Sequence, residues 1–196
     1  TAEYTDAEFE TIKNTILKRF TPLVEVLKSK NKALRIGVNH GSLSERMLFT
    51  YGDTPLGMTE SAMEFVKICD ELDFHNIIIS MKASRAPVML AAYRMIADRL
   101  DAEGYNYPLH LGVTEAGGLF TGSIKSSIGI GQLLMDGIGD TIRVSLSSDP
   151  IDEVKAGFEI LKSLGIRSRG VKIISCPSCA RQAFPVIETV KKLEQR

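Results

Sequence analysis

The chain has 196 residues, of which 44% are hydrophobic and 24% charged, and its formal net charge is zero. This composition is typical of a globular protein, and the balanced charge argues against a nucleic-acid-binding protein. The uncharged apolar stretches are too short to cross a bilayer, and three cysteines are too few for a disulfide-stabilised secreted fold, so we expect a reducing compartment.

The predicted elements begin with a helix over about residues 5–30, capped by Thr5 or Asp6, with Pro22 as a potential break. Strands are then predicted within 33–43, 76–84, 108–118, 140–146 and 171–176, and helices over 61–74, 86–104, 123–137, 149–165 and 180–196. Short apolar strands that alternate with helices of ten or more residues are typical of a parallel sheet with right-handed crossovers. The sequence therefore predicts an α/β fold.

Polar residues recur on one face near the carboxyl end of each of the first four strands. Because alternate strand residues share a face, these sets are Arg35, Gly37 and Asn39; Ser80 and Lys82; His110, Gly112 and Thr114; and Thr141, Arg143 and Ser145. The carboxyl ends of parallel strands meet on one side of an α/β protein, where active sites lie. Two arginines, a lysine and a histidine that converge there predict a site for an anion such as a diphosphate.

Each of these residues has a simpler interpretation when it is taken alone. A single arginine or lysine at a strand end usually reaches solvent or pairs with a carboxylate, and a single histidine is usually a hydrogen-bonded core residue. The coincidence of four strands with the same parity favours the anion site. The loop sequence EAGGLFTGS (115–123) precedes a predicted helix and adds backbone N–H groups that suit a phosphate.

The sequence CPSC (176–179) joins the last predicted strand to the last predicted helix. Three interpretations stay open for Cys176 and Cys179: a redox dithiol similar to the C-P-x-C element of glutaredoxins, half of a zinc site, or two ligands of an iron–sulfur cluster. Only a short stretch of sequence follows, which disfavours the first interpretation. Cys69 lies on the apolar face of a predicted helix, so we expect it in the core.

Six blocks of sequence together resemble one family. In order they are LRIGVNHGSL (34–43), SMKAS (80–84), LHLGVTEAGG (109–118), GIGDTIRVSL (137–146), ILKSLGIRSRG (160–170) and CPSCARQ (176–182). They resemble the 4-hydroxy-3-methylbut-2-enyl diphosphate synthases, iron–sulfur enzymes of the non-mevalonate isoprenoid pathway. The block with His40 is similar to the cyanobacterial and plant branch, whereas Ala180 stands where glycine or serine is common.

The resemblance implies a TIM barrel followed by a domain that carries the cluster. This chain would hold the C-terminal half of a TIM (β/α)8 barrel, with four βα units over residues 1–168, and the first strand and helix of an α+β iron–sulfur domain over residues 169–196. The sequence begins with Thr1 rather than Met, so we expect a processed chain or an excerpt. We also expect the isolated chain to be inactive and to associate through its two open sheet edges.

The resemblance further implies the reductive ring opening of 2-C-methyl-D-erythritol 2,4-cyclodiphosphate with loss of water, and electrons from ferredoxin or flavodoxin through a 4Fe-4S cluster. The residues that would bind the cyclic diphosphate are Arg35, Asn39, Lys82, His110, Arg143 and Ser145. Glu115 would be the catalytic acid, and Cys176 and Cys179 would be iron ligands whose partners lie outside this chain. A homodimer is implied, in the cytoplasm or, for a plastid-bearing host, in the plastid stroma.

Two other classes of function remain as alternatives. The chain could belong to a TIM-barrel lyase or aldolase that acts on a phosphorylated sugar, with Lys82 as the Schiff-base amine and structural cysteines. It could also be a binding fragment without chemistry. Trapping of substrate on Lys82 by borohydride would favour the first alternative, and a brown, oxygen-sensitive protein with iron and sulfide would exclude it.

Overall fold

The structure is a computed structural model that describes residues 4–176 and 183–194. Within these ranges the elements alternate between helices and parallel strands, as predicted. They are α1 (Asp6–Ser29), β1 (Leu34–Asn39), α2 (Glu45–Tyr51), α3 (Pro55–Glu71), β2 (Ile77–Lys82), α4 (Ala86–Glu103), β3 (His110–Leu111), α5 (Leu119–Met135), β4 (Thr141–Ile142), α6 (Pro150–Ser163) and α7 (Val186–Glu194).

The strands form two parallel pairs, β1 with β2 and β3 with β4. A parallel bridge between Ile79 and Leu109 joins the two pairs, so the four strands follow one another in space as they do in sequence. Helices α3, α4 and α5 contact one another in the same order. Strands and helices that follow one another in space in this order are typical of repeated βα units, in which each helix packs against the strand before it.

The core lies between the strands and α3, α4 and α5. Ile79, Met81 and Leu111 from the strands are fully buried there, as are Met58, Met63, Met89, Tyr93, Ile96, Ile130 and Leu133 from the helices. Strand β1 buries alternate residues, since Ile36 and Val38 are buried while Arg35, Gly37 and Asn39 are exposed, whereas β2 is buried at every residue except Ile78. The opposite face of the sheet is therefore left to the polar residues that the sequence analysis selected.

Helix boundaries follow local capping chemistry. Thr5 caps α1 in a capping box with Glu8, and Asp149 caps α6 by accepting from the Ile151 amide at 2.8 Å. Gly104, with φ of 78°, ends α4 in the left-handed conformation. The expected break at Pro22 is wrong, because α1 runs through it; burial of Val24 against the core offsets the lost backbone hydrogen bond.

Two further expectations about the elements are wrong, and one helix is additional to those expected. Helix α2 was not predicted, because its seven residues are too few for a clear period; the Ser44 hydroxyl caps it and Gly52 ends it. Residues 143–146 do not extend β4, because the Leu146 amide donates to the Glu153 carboxylate and the Ser147 amide to the Gly117 carbonyl. Residues 171–176 are irregular rather than a strand.

The irregular segment 171–176 has the composition of a strand but lacks a strand neighbour among the described residues. Val171 is 79% exposed and Ile174 87% exposed, so neither is buried in a sheet face. Strand residues gain stability from cross-strand partners rather than from intrinsic preference. Of the last predicted helix, 186–194 is helical and begins after Pro185, while 180–182 and 195–196 lie outside the described residues.

Both outer edges of the described sheet are open, as predicted. A cavity of about 370 Å3 runs along β1, between α1 and α2, and a second of about 270 Å3 lies beside β4 and α6. Association through these edges stays a prediction. Among the helices that the structure describes, none has the length and apolar character needed to traverse a bilayer.

Candidate anion-binding site

The two parallel pairs bring the predicted polar residues to the carboxyl ends of the strands. In the first pair, Asn39 lies opposite Lys82, and Gly37 opposite Ser80. In the second pair, His110 lies opposite Thr141. Partners in a parallel ladder point to the same face, so the parity predicted from the sequence is confirmed for these residues.

Hydrogen bonds between strands fix two of the polar side chains. Arg35 donates from Nη1 to the Ser80 hydroxyl at 3.4 Å. His110 Nδ1 lies 2.8 Å from the Thr141 hydroxyl. The guanidinium and the imidazole are thus each held by a neutral hydroxyl, which orients the side chain without neutralising a positive charge.

Lys82 is the buried member of this group, with 7% of its surface exposed. Its side chain crosses Gly112 on the neighbouring strand: a Cβ placed on Gly112 would lie 3.3 Å from Lys82 Cε and 3.5 Å from Nζ. Glycine at position 112 leaves the space that the end of the Lys82 side chain occupies. Gly112 belongs to the predicted polar face, and its contact with Lys82 gives the reason for its small size.

The pKa shifts of Lys82 and His110 reflect their closeness to Arg35 and Arg143. Burial, followed by the charges of Arg35 and Arg143, holds the pKa of Lys82 below its ordinary value. Burial and the charges of Lys82, Arg35 and Arg143 likewise lower the pKa of His110. Arg35, Lys82, His110 and Arg143 are called the cationic cluster below.

The cationic cluster lacks a counter-charge in the described part of the chain. Within residues 4–176 and 183–194, no carboxylate lies within 4.0 Å of Arg35, Lys82, His110 or Arg143, although nine other ion pairs form elsewhere. Bringing like charges together in a partly buried place costs free energy unless an anion offsets it. The arrangement is therefore suited to hold a multiply charged anion such as a diphosphate.

The remaining predicted binding residues border the cluster. Asn39 ends β1 and is exposed, and its carbonyl accepts from the Ser42 hydroxyl at 3.0 Å. Arg143 follows β4 and is anchored by its amide, which donates to the Leu111 carbonyl at 2.9 Å. Ser145 is half-buried two residues further on. Binding by these residues stays a prediction.

Glu115, the predicted acid, lies in the loop of residues 112–118 between β3 and α5. It is exposed and has φ of 53°, in the left-handed region, which is uncommon for a residue with a side chain. Its carboxylate forms no hydrogen bond or ion pair with any residue in the described ranges. The catalytic role of Glu115 stays a prediction.

The predicted iron ligands are only partly covered by the structure. Cys176 is exposed at the end of the irregular segment 171–176, and Cys179 lies outside the described residues. In the ranges that are described, no group of three His, Cys, Asp or Glu residues is arranged to hold a metal ion. Cys69 is fully buried, and burial raises the pKa of its thiol to about 11, so it is a core residue as expected.

Sequence reasoning missed two parts of the site. The Asp53 carboxylate accepts from the Gly41 amide at 3.1 Å and lies 3.5 Å from His40 Nε2, and so holds the loop that follows Asn39. Tyr93 lies beneath the cationic cluster and contacts β2 and β3 through its hydroxyl. Its position on the apolar face of α4 predicts only a core residue, although a buried tyrosine hydroxyl needs a hydrogen-bond partner.

The fold and the site together define a parallel α/β protein whose strand ends carry a cationic cluster that no carboxylate of the described residues neutralises. The family model of the GcpE TIM-barrel domain matches residues 11–158. The chain belongs to this family.

Curated relatives agree with this assignment over nearly the whole chain. A protein of Prochlorococcus marinus subsp. pastoris is 78% identical over 193 residues, and one of Parasynechococcus marenigrum is 63% identical over 191 residues. Both are named 4-hydroxy-3-methylbut-2-en-1-yl diphosphate synthase (ferredoxin). The alignments cover 98% and 97% of this chain and 48% of each relative, so the chain spans about half the length of the curated relatives it matches.

Proposed function

We propose that the chain supplies the substrate-binding half of a barrel in a 4-hydroxy-3-methylbut-2-en-1-yl diphosphate synthase. The reaction would open the ring of 2-C-methyl-D-erythritol 2,4-cyclodiphosphate reductively, release water and yield (E)-4-hydroxy-3-methylbut-2-enyl diphosphate. The observation that carries the proposal is the cationic cluster, which has no carboxylate partner in the described ranges, in a chain whose relatives bear this enzyme name. A cyclic diphosphate supplies the charge that the cluster lacks.

Within this proposal the barrel residues bind and orient the substrate. The Lys82 amine, partly withdrawn from water, and the two guanidinium groups would bind the phosphate oxygens, with Asn39 and Ser145 as neutral donors at the border. Burial and the neighbouring guanidinium groups lower the pKa of the Lys82 amine, and a diphosphate bound beside it would favour its charged form. His110, oriented by Thr141, would donate from its other ring nitrogen.

Glu115 is proposed as the group that delivers a proton to the departing hydroxyl. Support comes from its place in the loop directly after the strand that carries His110, and from its exposure, which leaves the carboxyl accessible to a substrate held by the cationic cluster. A carboxylic acid within hydrogen-bond reach of a leaving oxygen is a common general acid.

The proposed enzyme needs an iron–sulfur cofactor, and the exposed Cys176 fits that need as a thiolate donor at the surface. Cys176 and Cys179 would hold two corners of a 4Fe-4S cluster, with the other ligands outside this chain. The cluster, when bound, supplies the electrons for the ring opening, and the relatives' names support ferredoxin as their source, with flavodoxin as the other candidate.

Architecture and assembly are part of the same proposal. Four βα units over residues 1–168 would form half of a TIM barrel, and residues 169–196 would begin the cluster domain. The end of α6 at Ser163 and of the family match at residue 158 supports a boundary there. The open edge of β1 supports closure by a preceding half of the barrel. A homodimer is proposed from the family resemblance.

Turnover of the cyclodiphosphate by the full-length protein tests this function. With a reconstituted cluster and reduced ferredoxin, we expect formation of the linear hydroxymethylbutenyl diphosphate. The lowered pKa of Lys82 would also suit a Schiff-base lysine, so borohydride is added in a parallel reaction. Substrate trapped on Lys82, without consumption of reduced ferredoxin, would overturn the proposal in favour of a lyase.

A further inference from the structure

The Tyr93 hydroxyl is inserted between the two central strands. The Met81 amide of β2 donates to Tyr93 Oη at 3.0 Å, and Tyr93 Oη donates in turn to the His110 carbonyl of β3. The sheet is divided into its two pairs at this point. At this point β2 and β3 are joined through the Tyr93 side chain of α4 rather than by a direct backbone hydrogen bond.

The neighbouring contacts identify which rung of the ladder the hydroxyl replaces. The Ile79 amide donates directly to the Pro108 carbonyl at 2.9 Å, and the Thr114 amide to the Ala83 carbonyl at 3.2 Å. In a parallel pair each rung advances by two residues on both strands. The rung after Ile79 and Pro108 would therefore join Met81 to His110, which is where Tyr93 Oη lies.

A bridging oxygen holds the strands further apart than a direct bond does. In a direct backbone hydrogen bond the donor and the acceptor are about 2.9 Å apart. With the Tyr93 oxygen between the Met81 amide and the His110 carbonyl, two hydrogen bonds separate these groups instead of one. Lys82 directly follows Met81, and the bridge ends on His110 itself. The spacing between Lys82 and His110, which share the cationic cluster, is thus set at the position of the bridge.

The surroundings of Tyr93 hold its side chain in place and keep its hydroxyl protonated. The residue is fully buried, and burial raises its pKa to about 12, with the Met81 amide, the Ser80 hydroxyl and the Arg35 charge acting in the opposite direction. The phenol therefore keeps the proton that it donates to His110 at any working pH. Through Ser80, which accepts from Arg35 Nη1, Tyr93 also borders a third member of the cluster.

We propose that Tyr93 is a positioning residue for the anion site, which holds β2 and β3 at the separation that places Lys82 and His110 to grip the same diphosphate. This inference rests on the proposed function. Without the hydroxyl, either Met81 and His110 close into a direct rung or both backbone groups remain buried without partners. Either change moves the Lys82 and His110 side chains relative to each other.

The test compares Tyr93→Phe with Ile96→Val in the full-length protein. Ile96 is also fully buried on α4 but has no polar group, so its truncation loosens the same helix without touching the bridge. We expect Y93F to weaken binding of inorganic diphosphate and to raise KM for the cyclodiphosphate by about tenfold, with a smaller change in kcat. I96V should leave both within about twofold.

The Met81 amide resonance in a 15N spectrum reports directly whether the bridge has been lost. If Y93F unfolds, the measurements are repeated in trimethylamine N-oxide, which favours the folded state. A shifted Met81 resonance with unchanged diphosphate affinity would overturn the inference alone, as would equal losses in Y93F and I96V. Failure of the wild-type protein to bind diphosphate would overturn the proposed function and this inference with it.

Discussion

The Lys82 side chain lies against Gly112, with Nζ 3.5 Å from the place that a Cβ of residue 112 would occupy. That Cβ would also lie 2.8 Å from the Arg143 carbonyl, which is backbone and cannot yield easily. Residue 112 is therefore limited to glycine by two members of the cationic cluster at once. The Lys82 amine and the Arg143 carbonyl both lie close to residue 112, where only glycine leaves room for them.

Gly112→Ala is expected to impair both the fold and the site. Overpacking against the Arg143 carbonyl should lower the free energy of unfolding by about 1–3 kcal/mol, and displacement of Lys82 should weaken diphosphate binding. Denaturant unfolding and calorimetric titration measure the two effects. Gly131→Ala is the matched control, because a Cβ there meets nothing within 4 Å, and in α5 it should stabilise by about 0.4–1 kcal/mol. Unchanged affinity in G112A would contradict the placement of Lys82.

Diphosphate binding is expected to take up a proton at His110. Burial and the charges of Lys82, Arg35 and Arg143 lower the pKa of this imidazole, and a bound anion would raise it again. The affinity for diphosphate should therefore decrease as the pH rises from the pKa of His110 in the free protein to its higher pKa in the complex. Titration calorimetry in buffers of different ionisation enthalpy measures the uptake.

Two variants separate His110 from the other histidines. His110→Gln should remove its share of the proton uptake, whereas His75→Gln, near Tyr107 outside the cluster, should retain it. The pH dependence of stability runs in the opposite direction: without ligand, the unfolded state binds more protons than the folded state because the pKa of His110 is lowered on folding, so the free energy of unfolding should decrease as pH falls from about 6.5. Proton release on binding would contradict this assignment.

The buried ion pair beside β1 should be a major local source of stability. Arg46 Nη2 lies 2.7 Å from both oxygens of Glu64, and the two side chains are 11% and 13% exposed. Glu64→Gln leaves a guanidinium buried without its charge partner and should cost about 3 kcal/mol in unfolding free energy. The pair of Lys162 and Glu159 is the control, because the Glu159 side chain is 62% exposed and Glu159→Gln should cost less than about 1 kcal/mol. Equal effects in denaturant unfolding would refute this ranking.

Cys176→Ser is expected to lose iron from the reconstituted full-length protein. Serine removes a thiolate ligand from the proposed cluster, so iron and labile sulfide content should fall together with visible absorbance. Cys69→Ala is the control: burial raises the pKa of that thiol to about 11, so it stays protonated and should not contribute a ligand. Full iron content in C176S would disprove the ligand assignment.

Periodicity predicted the parallel βα order and the polar face because both depend on local spacing. Arg35, Lys82 and His110 were placed together from parity alone, which a ladder preserves. The strand predicted over 171–176 failed because a strand needs a partner, and composition does not supply one. The early end of β4 depended on Glu153, a side chain of the next helix that captures the Leu146 amide.

Tyr93 shows the same limit within the site. Its spacing on α4 predicts a core residue, and it is one, but the use of its hydroxyl is decided by β2 and β3 together. A one-dimensional pattern cannot show that the Met81 amide and the His110 carbonyl both end on this oxygen. The role of Lys82, in contrast, was visible because a lysine in a predicted buried strand requires an anionic partner.

The most direct test of the cationic cluster is a titration of the full-length protein with the cyclodiphosphate in the absence of reductant, so that binding is measured without turnover. Lys82→Met is compared with Lys18→Met, which removes an exposed lysine of α1. We predict that the wild-type protein and K18M bind with the same Kd and that K82M raises it by about 30-fold or more. Equal affinities in all three proteins would contradict the claim that these strand ends form a diphosphate site.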